Sequence, residues 1–267
     1  MNILDQIVAQ KQKEVAEKKS LYPVKLLEKS IYFESRPVSL KKYLLRPDKL
    51  GIIAEFKRKS PSKGMINPYV SVERTSVGYM QAGASALSIL TDTSFFGGKN
   101  EDLTLARKFN FCPILRKDFT IDEYQIIEAK SIGADAILLI AAILTPEQIR
   151  DFAAVAKSLK LEVLLEVHDL QELERSLTPD IDALGVNNRN LKDFTVDINL
   201  SKQLAEAIPN EFVKVSESGI SQAETVADLA TYGYKGFLMG ETFMKNSRPE
   251  KACADFIEKL RNTIAVA

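Results

Sequence analysis

Ala136-Ile-Leu-Leu-Ile140, Thr145-Pro-Glu147 and Glu162-Val-Leu-Leu-Glu166 follow one another along the chain: an apolar run, the start of a helical pattern, and a second apolar run. Short runs rich in Ile, Leu and Val, without polar alternation, are what strands covered on both faces require. Thr145 ahead of Pro146 marks a helix start, because proline fits the first helical turn, where no backbone donor is needed. The unit is therefore strand–helix–strand. From residue 51 onward the same alternation recurs eight times, with strand candidates Gly51 to Phe56, Ala86 to Leu90, Pro113 to Arg116, Ala136 to Ile140, Glu162 to Glu166, Ala183 to Val186, Val213 to Ser216 and Gly236 to Met239.

Ser71 and Thr120-Ile-Asp-Glu123 open further helices, and Gly83, Gly133 and Gly233 each follow a helical pattern, where a left-handed cap is wanted. Eight βα units with right-handed crossovers close into a barrel or open into a doubly wound sheet. No Gly-x-Gly-x-x-Gly follows the first strand, which favours the barrel. The expected fold is α/β, a (β/α)8 TIM barrel over residues 49–267, with 1–48 as an N-terminal helical extension of the same single domain. In that extension Leu4, Ile7, Val8 and Val15 fall at helical spacing and predict an amphipathic helix packed on the barrel.

Composition narrows the function. The 267 residues are 45% hydrophobic, enough for a large core, and Lys plus Arg balance Asp plus Glu at 36 each. No overall field exists to gather nucleic acid or an anionic membrane, so neither is an expected partner. Cys112 and Cys253 show neither metal-ligand spacing nor a disulfide framework, and a single histidine, His168, leaves little material for a His-based metal site or a Ser-His-Asp triad. No metal or other cofactor is expected. The N-terminus lacks an apolar leader and no run approaches the ~18 apolar residues that read as a membrane span. A cytoplasmic location is the expectation.

In such barrels the chemistry collects at the C-terminal ends of the strands. The first strand candidate ends in Glu55-Phe-Lys57, an acid and a base two residues apart and hence on one side, followed by the loop Ser60-Pro-Ser-Lys-Gly64. The third runs into Arg116-Lys117-Asp118-Phe119 and the fifth ends at Glu166, ahead of Val167 and His168. A carboxylate at the end of an apolar run meets desolvation, which raises its pKa, and nearby lysines, which lower it. Each of these charges alone is as consistent with a structural ion pair; their coincidence at three strand ends points to function. His168 is read as a loop residue facing away from Glu166. The sixth strand leads into Asn187-Asn-Arg189-Asn190, whose Asn187 and Arg189 suit substrate oxygens while Asn188 and Asn190 suit an Asx-type turn. The seventh and eighth lead into Glu217-Ser218-Gly219-Ile220 and Gly240-Glu241, where small residues let backbone N–H groups approach an anion. A small phosphorylated ligand follows.

Taken in order, Ile53-Ala-Glu-Phe-Lys-Arg-Lys-Ser-Pro-Ser-Lys-Gly64, Leu90-Thr-Asp92 with Phe95-Phe-Gly-Gly98, Leu115-Arg-Lys-Asp-Phe119, Leu165-Glu-Val-His168, Gly185-Val-Asn-Asn-Arg-Asn-Leu191, Glu217-Ser-Gly-Ile220 and Gly240-Glu241 resemble indole-3-glycerol phosphate synthase over essentially the whole chain. Asp92, where Glu is expected, and Phe56, in place of Ile or Val, depart from the pattern. The resemblance implies closure, decarboxylation and dehydration of 1-(2-carboxyphenylamino)-1-deoxyribulose 5-phosphate without a cofactor. It implies Lys117 as general acid, Glu166 as base or acid in dehydration, Lys57 holding the substrate carboxylate with Glu55 orienting it, and Asn187 and Arg189 positioning the substrate and its hydroxyl leaving group. Ser60, Ser218, Gly219, Gly240 and Glu241 would surround the phosphate, the Glu241 carboxylate pointing away. Glu217 would also bind substrate, and Phe95 and Phe119 would form an aromatic slot. Lys57 and partial burial are expected to depress the Lys117 pKa. A Schiff-base aldolase and a non-catalytic binding subunit remain as alternatives, and a monomer or weak homodimer is compatible with the chain.

Overall fold

Eight parallel strands close on themselves: β1 (Ile52–Phe56), β2 (Ala86–Leu90), β3 (Ile114–Lys117), β4 (Ala136–Ile140), β5 (Glu162–Val167), β6 (Ala183–Asn187), β7 (Val213–Glu217) and β8 (Gly236–Met239), with β1 paired to both β2 and β8. The computed structural model describes residues 3–266. Helices alternate with the strands, as the recurring apolar runs require, so the expected (β/α)8 barrel is the observed one. β3 starts one residue later than predicted because Pro113 has no N–H for the ladder; only its carbonyl takes part, accepting from Leu87 N.

Caps follow local chemistry. Ser71 and Thr145 cap their helices, Thr145 in a reciprocal box with Gln148, and Gly83, Gly133 and Gly233 adopt φ of 102°, 92° and 88°. The helix predicted to open at Thr120 is instead capped by Asp122, whose carboxylate accepts from Tyr124 N. A carboxylate there outcompetes the earlier hydroxyl, since it also meets the positive end of the helix dipole.

Two cores separate at the sheet. Ile52, Ala54, Phe56, Leu87, Ile89, Val163 and Leu165 face the helices, whereas Ile53, Leu115, Leu138, Leu164, Val215 and Leu238 fill the barrel interior. Leu40 and Leu44, from the helix Leu40–Leu44, join the interior cluster and close its N-terminal end. Strand parity then decides the mouth. Glu55, Lys117, Glu166 and Glu217 each lie two residues beyond Ile53, Leu115, Leu164 and Val215, so all four turn inward as the topmost interior layer.

Helix α1 (Ile3–Leu21) lies over this end. Its buried stripe is Ile7, Lys11 and Val15, one residue per turn, while Leu4 and Val8 of the predicted stripe are only partly buried. Lys11 was not expected inside. Its ammonium lies 2.8 Å from Asp92 and 3.0 Å from Asp118, the loops after β2 and β3, and these partners offset the cost of burying it. Burial works to lower the Lys11 pKa, but the two carboxylates outweigh it and hold it well above the ordinary lysine value. Lys18 and Lys19 continue the attachment to Glu128 and Asp122 at 3.0 and 2.7 Å. Among the described residues no helix is long and apolar enough to cross a membrane.

Candidate active site

The mouth of the barrel holds a cavity of about 520 Å³, lined at its floor by Glu55, Lys57, Lys117, Glu166, Asn187 and Glu217. The three separate segments carrying Lys57, Lys117 and Glu166 thus converge on one space. Lys57 Nζ pairs with Glu55 Oε1 at 2.7 Å. Lys117 Nζ stands between Glu166 Oε2 at 3.1 Å and Glu217 Oε2 at 3.5 Å, and Glu166 Oε1 accepts from Asn187 Nδ2 at 3.1 Å. Neighbouring strands hold these contacts in register, with Ile140 opposite Glu166, Glu166 opposite Gly185 and Asn187 opposite Glu217.

Charge balance here differs from the sequence expectation. Burial would lower the Lys117 pKa, but Glu166, Glu217 and Glu55 outweigh it and hold the ammonium well above its ordinary value. Lys57 does not depress it, because Glu55 already neutralises Lys57 and itself acts on Lys117 in the opposite sense. Glu166 goes the other way: burial would raise it, yet Lys117, His168 and Asn187 keep it well below the carboxylate range. Glu217 is pushed up to about 8 by burial and by the nearby Glu166 and Glu55, against the pull of Lys117, and its Oε1 is buried without a partner. A neutral carboxyl beside an ammonium and an ionised carboxylate is the arrangement the floor favours near pH 7. Glu217 reaches this place only because Gly185 has no side chain: a Cβ there would stand 2.1 Å from Glu217 Oε1.

Ser60, Ser218, Gly219, Gly240 and Glu241 line the same cavity on the side of β1, β8, β7 and β6, adjacent in the closed sheet. Three cations, Lys63, Arg189 and Lys245, line this side as well. The Glu241 carboxylate does not point away as expected; it lies 3.5 Å from Lys63 and 3.6 Å from Arg189, since two cations at the rim attract the nearest carboxylate. Ser218 holds a left-handed φ of 68°, unusual for a residue with a Cβ and costing of order 1–3 kcal/mol. Asn188 fixes that turn. Its Nδ2 donates to Glu217 O at 3.0 Å and Ser218 O at 3.2 Å, and its Oδ1 accepts from Ser201 Oγ at 2.8 Å.

The opposite wall, below β2 to β4, is apolar: Phe96, Phe119, Leu138 and Ile140, closed over by Ile3, Leu4 and Ile7 of α1. The Phe96 and Phe119 rings lie 5.8 Å apart at 39°. Phe95, expected beside Phe119, is not part of the wall. The loop turns on Asp92 Oδ1, which accepts from both Phe95 N and Phe96 N, and it is the second ring that this turn delivers. One end of the cavity is thus cationic, the floor carries acid–base groups, and the far wall suits an aromatic ring.

A family model described as indole-3-glycerol phosphate synthase matches residues 4–256. The chain belongs to that family. An indole-3-glycerol phosphate synthase of Bacteroides thetaiotaomicron is 47% identical over 260 residues, covering 97% of this chain and 99% of the relative. One of Thermoanaerobacter pseudethanolicus is 41% identical over 97% of this chain and 98% of its own length. Among solved structures, the tryptophan synthase subunit alpha of Legionella pneumophila superposes with a TM-score of 0.61 at 15% identity, over 85% of this chain and 98% of that one, a likeness of fold alone.

In this member of the indole-3-glycerol phosphate synthase family, His168 departs from expectation. Two residues is one full strand period, so it shares the inward side of Glu166 instead of facing away, and its Nε2 comes within 3.3 Å of Glu166 Oε1. Lys63, Lys245 and Phe96 were also missed. They sit in loops, where no strand period constrains which way a side chain turns.

Proposed function

We propose that the chain closes and decarboxylates 1-(2-carboxyphenylamino)-1-deoxyribulose 5-phosphate to indole-3-glycerol phosphate, a cytoplasmic step of tryptophan biosynthesis carried out by one barrel domain acting as a monomer or weak homodimer. The equal numbers of basic and acidic residues support small-molecule partners over nucleic acid or membrane. The observation that carries the reading is Lys117, held protonated between Glu166 and Glu217 in a cavity with a cationic end and an aromatic wall.

The phosphate is assigned to Ser60, Ser218, Gly219 and Gly240 with Lys63, Arg189 and Lys245 near by, and the anthranilate ring to the slot of Phe96 and Phe119. Lys57 takes the substrate carboxylate and Glu55 orients it. As the carboxyl-bearing ring carbon attacks the sugar carbonyl, the new C–C bond leaves charge on the carbonyl oxygen, and Lys117 protonates it. A raised pKa does not disqualify this acid, because an alkoxide is about as basic as hydroxide, whose conjugate acid has a pKa of ~15.7. The attack makes an iminium in the ring system, and the electrons of the breaking C–CO2 bond return there, so the step balances without an external electron sink. Loss of the protonated hydroxyl as water and of a ring proton completes the indole, with Glu166 and Asn187 at the leaving group.

A Schiff-base aldolase needs an unprotonated lysine as nucleophile, and the carboxylates around Lys117 oppose that form. Incubating purified protein with the carboxyphenylamino sugar phosphate should generate indole fluorescence. Absence of product, or a borohydride-trapped lysine adduct in its place, overturns the proposal.

A further inference from the structure

His168 is the only histidine in the chain. It follows β5 directly, and two bonds and one charge contact fix its place. Its backbone N–H donates to Glu172 Oε2 at 2.8 Å, its Nδ1 lies 3.1 Å from the same oxygen, and its Nε2 faces Glu166 Oε1 at 3.3 Å, outside the geometry of a formed hydrogen bond. Glu172 is itself anchored, because its backbone N–H donates to Asp169, the cap of the helix Leu170–Ser176. The order of support runs from helix start to Glu172, to His168, to Glu166.

Both ring nitrogens face carboxylate oxygens. A neutral imidazole would set one lone pair against an acceptor, whereas the imidazolium presents a proton to each. The other charged groups nearby do not compete for it: Arg175, one turn along the same helix, donates to Ala141 O, and Lys117 approaches Glu166 from β3 on its second oxygen. Burial would lower the ring pKa, but Glu166 and Glu172 outweigh it and push it up to about 10.

We propose that His168 is a positioning residue for Glu166: an imidazolium clasped by Glu172 that keeps the Glu166 carboxylate ionised and its other oxygen turned to Lys117. It rests on the reading of this cavity as the synthase active site. At the floor, Glu55 and Glu166 are ionised beside a neutral Glu217 and meet two ammonium groups, while a third cation faces Glu166 Oε1 and leaves Oε2 to Lys117.

Because the protein has one histidine, its imidazole ¹⁵N signals need no assignment. Both nitrogens should be protonated at pH 7.5 in the wild type, and Glu172→Gln should lower the titration by about one pH unit or more, the usual effect of an adjacent opposite charge. In kinetics, His168→Gln should lose about tenfold in kcat, one unit of carboxylate basicity, with KM nearly unchanged, while His168→Lys, similar in size but cationic, should recover most of the loss. A merely structural role would not separate Gln from Lys. A neutral tautomer at pH 7.5, or equal kcat in the two variants, overturns the proposal. Wild-type protein without turnover would instead sink the synthase reading and leave the ¹⁵N measurement to decide the charge on His168.

Discussion

Gly185→Ala is the most discriminating substitution at the barrel mouth. The new Cβ would stand 2.1 Å from Glu217 Oε1 and 3.3 Å from Leu164 Cδ1. A carbon and an oxygen approach no closer than about 3.3 Å, so the carboxylate must retreat by roughly 1 Å. The obstacle is the end of a side chain, so the fold should yield cheaply, at about 1–3 kcal/mol of overpacking and a melting point lower by several degrees at most. The chemistry should not. Glu217 is one of the two carboxyl groups flanking Lys117, and a misplacement of about 1 Å at reacting groups costs on the order of 100-fold. Turnover by indole fluorescence beside a thermal melt measures both effects. In a Glu217→Ala background Gly185→Ala should cost no further activity, because the clash has no partner. Near-normal turnover in the single variant, or an equal loss with Glu217 absent, would refute the placement of Glu217.

Other outcomes follow from the same geometry. Lys117→Ala should lower turnover at least ~100-fold, the usual size of a proton-transfer contribution, and a near-normal rate removes it from the role of acid. Glu217, pushed up to about 8, should ionise above that pH and make Lys117 a weaker donor, so kcat should fall on the alkaline side; Glu217→Gln should lack this limb, and a limb that persists excludes Glu217 as its source. Lys11→Met should destabilise by about 3–5 kcal/mol in a denaturant melt, because Asp92 and Asp118 lose a buried partner, and an unchanged midpoint contradicts the buried cluster. Burial works to raise the Asp118 pKa, but Lys11 and Arg116 outweigh it and hold it below the usual range. Such a carboxylate contributes stability above its unfolded pKa of ~3.9 that disappears as pH falls toward its folded value. Acid unfolding should therefore begin at higher pH in Lys11→Met, and an unmoved acid transition would show that Lys11 does not set it.

The strands were legible because each is a dense apolar run, and the inward layer because parity carries Ile53 to Glu55 and Leu164 to Glu166. The same parity carries Glu166 to His168, which therefore shares its side and does not face away as a loop residue would. Beyond the strand ends the sequence offers less: Phe95 and Phe96 are adjacent and chemically alike, and only the turn on Asp92 selects between them. The sign of the Lys117 shift was not readable either. It depends first on Glu166 and then on Glu217, which lie 49 and 100 positions away in sequence and 3.1 and 3.5 Å away in space. Nothing local in the sequence marks Lys11 for burial, because its two counter-charges come from loops far along the chain.

That last arrangement bears on how the molecule assembles. The loops carrying Asp92 and Asp118 come together only when β2 and β3 lie side by side. Until then, burying Lys11 would strand a lone ammonium in an apolar seam, so α1 should dock late, onto strands already correctly paired. The roof over the cavity thereby serves as a checkpoint on the wall beneath it.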